Sequence, residues 1–191
     1  MYDVAVIGYG PTGMMAAILL GRAGHRVAVV ERYRTLYNLP RVGIVHDDIL
    51  RMFQEIGISA RIAPATHFLP RYELAHDERI LLSNDIEPYG AHGWPEFTSI
   101  YQPAFEAELD VEAKKSAAID VHQGWRVTEI AQTDKSVVLV AEGGEGVTHT
   151  IEARYVVAAD GGNSFVRAAL NIELEDLGFD QDWLVIDAKQ K

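Results

Sequence analysis

Glycines at positions 8, 10 and 13 place a turn with the spacing of a phosphate cradle close to Met1. The run Gly8-Tyr9-Gly10-Pro11-Thr12-Gly13 follows an apolar stretch, Val4 to Ile7, and precedes a helix-forming one, Met14 to Leu20. Each glycine has its own physical task. Gly8 permits a tight strand-to-helix turn, and Gly10 lets the backbone approach a pyrophosphate with no Cβ in the way. Gly13 lets the helix lie close on a sheet. The helix start, which includes Pro11 and Thr12, offers unpaired N–H groups and a partial positive charge to that anion. A second apolar run, Val27 to Val30, closes with Glu31, 18 positions after Gly13. A carboxylate there can accept hydrogen bonds from ribose hydroxyls. Strand, turn, helix, strand and acid together predict the binding of an adenine dinucleotide.

Positioning these residues requires an α/β frame, and the remaining sequence reads as one. After Glu31 a polar stretch, Arg32 to Arg41, leads to an amphipathic helix over His46–Ile56 that Gly57 ends. Residues 71–83 alternate around Ala-His-Asp-Glu as a β-hairpin with one apolar face. A Gly- and Pro-bearing loop, Pro88 to Pro95, precedes a helix from Pro103 to about Ala117, where proline suits the first turn. Strands are expected at Trp125–Gln132, Val137–Ala141 and Val147–Ala153, then a buried strand of parallel type at Tyr155–Ala159. Asp160-Gly161-Gly162, a short helix over Ser164–Leu170 and a strand over Trp183–Asp187 follow. The expected fold is a Rossmann-like α/β domain with an antiparallel meander inserted before its last core strand. The hairpin and the last strand fit neither layer. An edge strand needs a partner sheet, so both are assigned to a second, substrate-side domain that is incomplete here.

Composition excludes several other chemistries. The chain of 191 residues is 48% hydrophobic, ordinary for a packed domain, and has no cysteine, hence no disulfide or thiolate site. Its longest apolar run is too short to span a bilayer, and the first strand leaves no room for a signal peptide, so a cytoplasmic location is expected. Residues 96–191 carry eighteen acids against eight basic residues, which argues against nucleic acid and for a solvated acidic face. The seven histidines show no metal spacing. His46 beside Asp47 and Asp48 reads as an acid-rich helix start. Ser164 lies outside a G-x-S-x-G elbow, against a hydrolase. Tyr89, Trp94 and Phe97 could line a cavity or pack a core.

Three separated segments, IGYGPTGMMAAILLGRAGHRVAVVER, LPRVGIVHDDILRMFQEIG and YVVAADGGNSFVRAAL, together resemble the FAD-dependent aromatic hydroxylases. These are class A flavoprotein monooxygenases of the p-hydroxybenzoate hydroxylase fold. The chain looks most like the hydroxyphenylpropionate and phenol hydroxylases among them. The resemblance implies a FAD-binding domain of glutathione-reductase type over 1–67 and 99–178, with 68–98 and 179–191 on the substrate side. By position, Gly8, Gly10 and Gly13 would cradle the FAD pyrophosphate, and Glu31, followed by Arg32, would hold the adenosine ribose. Arg41 would contact the pyrophosphate or ribityl region, a role suited to a guanidinium. Gln102 would approach the flavin, and backbone near Val127 the adenine. Asp160 with Gly161 would face the ribose and the route of NAD(P)H, and Arg167 would hold that loop by hydrogen bonds.

The implied reaction is hydroxylation of a small aromatic substrate with NAD(P)H and O2 through a C4a-hydroperoxyflavin. The protein's part in it is position and electrostatics. No side chain is assigned as a catalytic acid or base, no metal is implied, and homo-oligomerisation is left open. The family's second flavin motif, a Gly-Asp pair, has no match after Arg167, so this stretch reads as an N-terminal portion without activity of its own. Two other readings share the glycine motif: an NAD-dependent dehydrogenase and a non-catalytic dinucleotide-binding fragment.

Overall fold

The structure, a computed structural model, describes residues 1–39, 41–184 and 186. β1 (Tyr2–Ile7) passes through the glycine turn into α1 (Pro11–Arg22) and β2 (Val27–Glu31). Next come β3 (Ile44–His46), α2 (Asp47–Glu55), α3 (Ser59–Ile62), β4 (Thr66–Phe68), β5 (Arg71–His76), β6 (Arg79–Asp85) and β7 (Phe97–Ile100). The order closes with α4 (Gln102–Lys114), β8 (Ile119–Gln123), β9 (Arg126–Gln132), β10 (Val137–Glu142), β11 (Thr148–Ala158) and α5 (Phe165–Ala169). The chain divides into two compact units, Met1–Tyr37 with Leu109–Leu184, and Asn38–Glu108, and the boundary falls inside α4.

The first unit is built on a six-stranded sheet in the order β8-β2-β1-β11-β10-β9. Its β8, β2, β1 and β11 run parallel, while β11, β10 and β9 are antiparallel. The runs Val4–Ile7 and Val27–Val30 are apolar at every position because both faces of these strands are covered. Ala5, Ile7, Ala28 and Val30 form one cluster with Val127, Leu139 and Ile151 of the meander. Val4, Val6, Val27 and Val29 alternate to the opposite face, and α1 packs on β1 and β2 with Met14, Ala17 and Ile18 buried.

Two sequence expectations fail in this unit. The strands expected at 147–153 and 155–159 are one strand of 11 residues, β11. Glu152 and Arg154 resemble a break, but they are the exposed positions of an alternation whose buried members are Ile151 and Ala153. Ala153 pairs with Val137 on one side and with Tyr2 on the other. The meander is therefore not inserted before the last core strand but shares it. The strand expected over 183–187 is not formed by Trp183, Leu184 or Ile186, which are exposed and in no regular element. Among the described residues no strand lies beside them to satisfy their N–H and C=O groups. Val185 and Asp187 lie outside the described residues.

The second unit holds a three-stranded antiparallel sheet, β3-β7-β4, and the separate two-stranded hairpin β5-β6. Gly57, at φ +76°, terminates α2 as its position suggests. Phe53 of α2 meets Phe105 of α4 edge to face at 4.4 Å, with Ile56, Ile58 and Ile62 buried in the same unit. The hairpin forms where the alternation predicts it, yet Leu74, Ile80 and Leu82 stay exposed.

Candidate dinucleotide site

In the first unit the glycine turn is fixed by sterics. Gly8 has φ +101°, a region L side chains rarely adopt, and its N–H donates to the Val30 carbonyl at 2.8 Å. A Cβ on Gly8 would collide with the Ala159 carbonyl, and one on Gly13 with the Gly8 carbonyl. Gly10 is the N-cap of α1, Pro11 occupies the first turn, and no side chain caps the helix. Gly8 to Gly13 is thus a close-packed cradle with its helix N–H groups unclaimed by any capping side chain. This is the arrangement that suits a phosphate.

Glu31 braces the same turn. Its Oε2 accepts from the Tyr9 N–H at 2.8 Å and its Oε1 from the Tyr33 N–H at 2.9 Å. Two carboxylate oxygens offer about four lone-pair positions, so both braces leave acceptor capacity for ribose hydroxyls. The Tyr9 side chain turns inward and is buried. Burial, then the neighbouring Asp110 charge, pushes its phenol far above the ordinary value and keeps it neutral. Arg32 lays its guanidinium over the Tyr33 ring at 4.9 Å. Val127 sits on the edge strand β9, with its side chain in the core.

The Asp160 loop adjoins the turn directly, since the Cβ position of Gly8 lies 3.0 Å from the Asp160 Cα. The Ala159 N–H donates to the Ile7 carbonyl at 2.8 Å and ties the two strand ends together. Asp160 Oδ1 accepts from Ser164 Oγ at 2.6 Å, and Oδ2 from the Val166 N–H at 3.1 Å. Ser164 Oγ in turn accepts from the Arg167 N–H, and Arg167 Nη1 donates to the Gly162 carbonyl at 2.6 Å. Gly161, at φ +81°, supplies the bend. Both oxygens of Asp160 hold its own loop, and Arg167 holds that loop as the resemblance implies.

Arg41 and Gln102 come together in the second unit. Gln102 Oε1 accepts from the Arg41 N–H at 2.7 Å and the Val42 N–H at 2.8 Å. Its Nε2 donates to Glu106 Oε1 at 2.6 Å, and Arg41 Nη2 reaches that same oxygen at 3.3 Å. Glu106 is not among the residues that the sequence singles out. The available signal was its place four residues after Gln102, one turn along a helix.

Asp47, in the first turn of α2, accepts from the His92 N–H at 2.9 Å, from His92 Nδ1 at 3.1 Å and from the Asp48 N–H. The His92 backbone N–H, more than any other contact, holds its carboxyl below the ordinary aspartate value. Among the described residues no group of three or more acids or histidines is arranged to hold a metal. None of the described helices is long and apolar enough to cross a membrane.

A glycine cradle closed to side chains, a helix start with no side-chain cap and a carboxylate at the end of β2 define a dinucleotide-binding protein. The sequence model of the family described as FAD binding domain matches residues 1–191, and the chain belongs to that family. It is 41% identical over 187 residues to a probable NADH-specific resorcinol 4-hydroxylase of Rhodococcus jostii, covering 97% of this chain and 35% of the relative. It is 35% identical to a 3-(3-hydroxy-phenyl)propionate/3-hydroxycinnamic acid hydroxylase of Burkholderia vietnamiensis, covering 98% and 30%. Among solved structures it is similar to aklavinone-11 hydroxylase in complex with FAD and aklavinone. That match has TM-score 0.75 and 26% identity, over 89% of this chain and 35% of the other. The chain spans about a third of the length of these relatives.

Proposed function

We propose that this chain is the FAD-binding part of an NAD(P)H- and O2-dependent hydroxylase of small phenolic compounds. The observation that carries this reading is the pairing of the glycine cradle with Glu31, which fits an adenine dinucleotide, in a chain of the FAD binding domain family. The substrate class follows from the relatives, which are named for resorcinol and for hydroxyphenyl acids. The first of them is named as NADH-specific, which favours NADH as the reductant. We assign residues 1–67 and 99–178 to the glutathione-reductase type of FAD-binding fold, and residues 68–98 and 179–191 to the substrate side.

Gly8, Gly10, Pro11, Thr12 and Gly13 would bind the pyrophosphate, and Glu31 with Arg32 the adenosine ribose. Backbone at Val127 would meet the adenine. Asp160 and Gly161 would shape the wall beside the ribose, with Asp160 acting through Ser164 and the Val166 N–H. Arg41 and Gln102 are assigned to FAD as the family resemblance implies. When bound, FAD supplies the redox chemistry that takes reducing equivalents from NAD(P)H and passes them to O2. The residues of this chain bind and orient it. The test is a titration of the chain with FAD, followed by quenching of flavin fluorescence. Saturable binding that Gly10→Val removes supports the reading, and a chain that leaves free FAD fluorescence unchanged would refute it.

A further inference from the structure

His122 of β8 and His149 of β11 bring two imidazoles together in the first unit, with ring centroids 5.5 Å apart. The alternation of β11 accounts for the meeting. His149 is in step with buried Ile151 and Ala153 and pairs with Ala141, so its side chain leaves the strand on their side. It ends exposed, with the Trp125 ring 5.5 Å away. His122 is half-buried, and its Nε2 is closed to solvent with no hydrogen-bond partner among the described residues.

The two rings differ in what they can do with a proton. On His149 the charge meets water and the π system of Trp125, which attracts cations. On His122 it would place an N–H in a closed spot with no acceptor, beside a second imidazole. Burial first, then His149, hold His122 below the ordinary histidine value. Asp120, two positions back on β8, pulls the other way, but its carboxylate already accepts from the Tyr2 hydroxyl at 2.8 Å. A charged His122 therefore has to leave its place.

The strand that would move carries more than a ring. His122 and Gln123 pair with Val30 and Glu31 of β2. The Trp125 N–H donates to the Glu31 carbonyl at 2.8 Å, and the Gly124 N–H to the Tyr33 carbonyl at 2.9 Å. We propose that the His122–His149 pair is a proton-operated latch, which holds the end of β2, and Glu31 with it, while both rings are neutral and releases it in acid. The consequence for ligand rests on the function proposed above, in which Glu31 holds the FAD ribose. FAD then binds the closed form and opposes release.

The open form takes up its proton at the ordinary value of 6.5, the closed form only at a lower pH. The latch is thus fully closed above 6.5 and weakens as pH falls toward the lower, folded value. Amide hydrogen exchange on the 191-residue chain, corrected for intrinsic rates, reads that opening directly. Protection of the Gly124 and Trp125 amides should fall about five- to tenfold between about pH 7.5 and about pH 5.5, and less than about twofold in His122→Phe. In His149→Gln the fall should be smaller than in wild type, because His122 no longer faces a second charge. The Leu139 amide of β10 should keep its protection throughout. Saturating FAD should restore the Trp125 protection at the acid end, in proportion to its excess over Kd.

Protection of Gly124 and Trp125 that is equal at both pH values would overturn the latch. So would a fall of the same size in H122F, or one shared by Leu139, which marks global unfolding. If H122F does not fold, H122N also lacks the titrating ring and takes its place. If FAD binds yet leaves Trp125 as poorly protected as in the free chain, the tie to Glu31 is overturned. If the wild-type chain takes up no FAD, the functional reading falls, and exchange in the free chain alone decides the latch.

Discussion

The glycine turn and the Arg41–Gln102–Glu106 cluster are both candidate binding elements, and they are built by opposite means. The turn is made of backbone and of missing side chains, where a single Cβ at Gly8 or Gly13 meets a carbonyl. The cluster is held by side-chain atoms, which bind one another and the Arg41 and Val42 N–H groups across up to 65 residues of sequence. A steric cradle fails all at once, because a backbone carbonyl cannot swing aside. A hydrogen-bonded cluster degrades by steps, since each bond is worth only about 0.5–3 kcal/mol.

The largest expected effect comes from the turn. Gly13→Val should destabilise the first unit by about 3 kcal/mol or more and abolish FAD binding, checked by denaturant unfolding and flavin titration. A variant as stable as wild type would break the contrast between the two elements. Glu31→Lys should follow. It removes two charge-assisted acceptors from Tyr9 and Tyr33 N–H groups and should weaken FAD roughly a hundredfold or more in the same titration. Asp160→Ala leaves the Ser164 hydroxyl and the Val166 N–H without their acceptor, at a cost of about 1.5–3 kcal/mol in thermal stability.

Acid should sharpen the comparison within the second unit. The folded Asp47 value lies below the unfolded 3.8, so its contacts stabilise fully above that pH. They are lost as pH falls through the lower, folded value. Melting curves between about pH 5 and about pH 2 should therefore drop more steeply below 3.8 for wild type than for Asp47→Asn. Parallel slopes would remove the Asp47–His92 contact from the stability of that unit. The smallest effect belongs to the hairpin. Leu81 is 61% exposed, and Leu81→Thr should change the stability of this chain by no more than about 0.5 kcal/mol in denaturant unfolding.

What the sequence disclosed follows the same division. The glycine turn, α1, β2 and Glu31 were legible because each signal is local and each residue type has few other uses. β11 reads as two strands because Glu152 and Arg154 look like a loop until their buried neighbours are known. β8 went unseen, since Ile119 alone among its residues is buried and an edge strand carries little periodicity. β3, β4 and β7 are three or four residues long, shorter than any alternating pattern can report. The resemblance names Gln102 but none of its partners. Nothing in the sequence says that Arg41, 61 residues earlier, lies under its carbonyl.

The double duty of β11 has a kinetic consequence. Its pairing with β10 joins neighbours in sequence and forms quickly, whereas its pairing with β1 links Tyr2 to Ala153 across most of the chain. The meander should assemble early and the parallel junction late. The contact between the Ala159 N–H and the Ile7 carbonyl sits at that junction, so the glycine cradle acquires its second wall only at the end. During synthesis at roughly 5–20 residues per second, β1 and α1 wait on the order of 10–30 s for β11 to emerge. Over that interval the apolar runs of β1 and β2 are the segments of this chain most in need of chaperone protection.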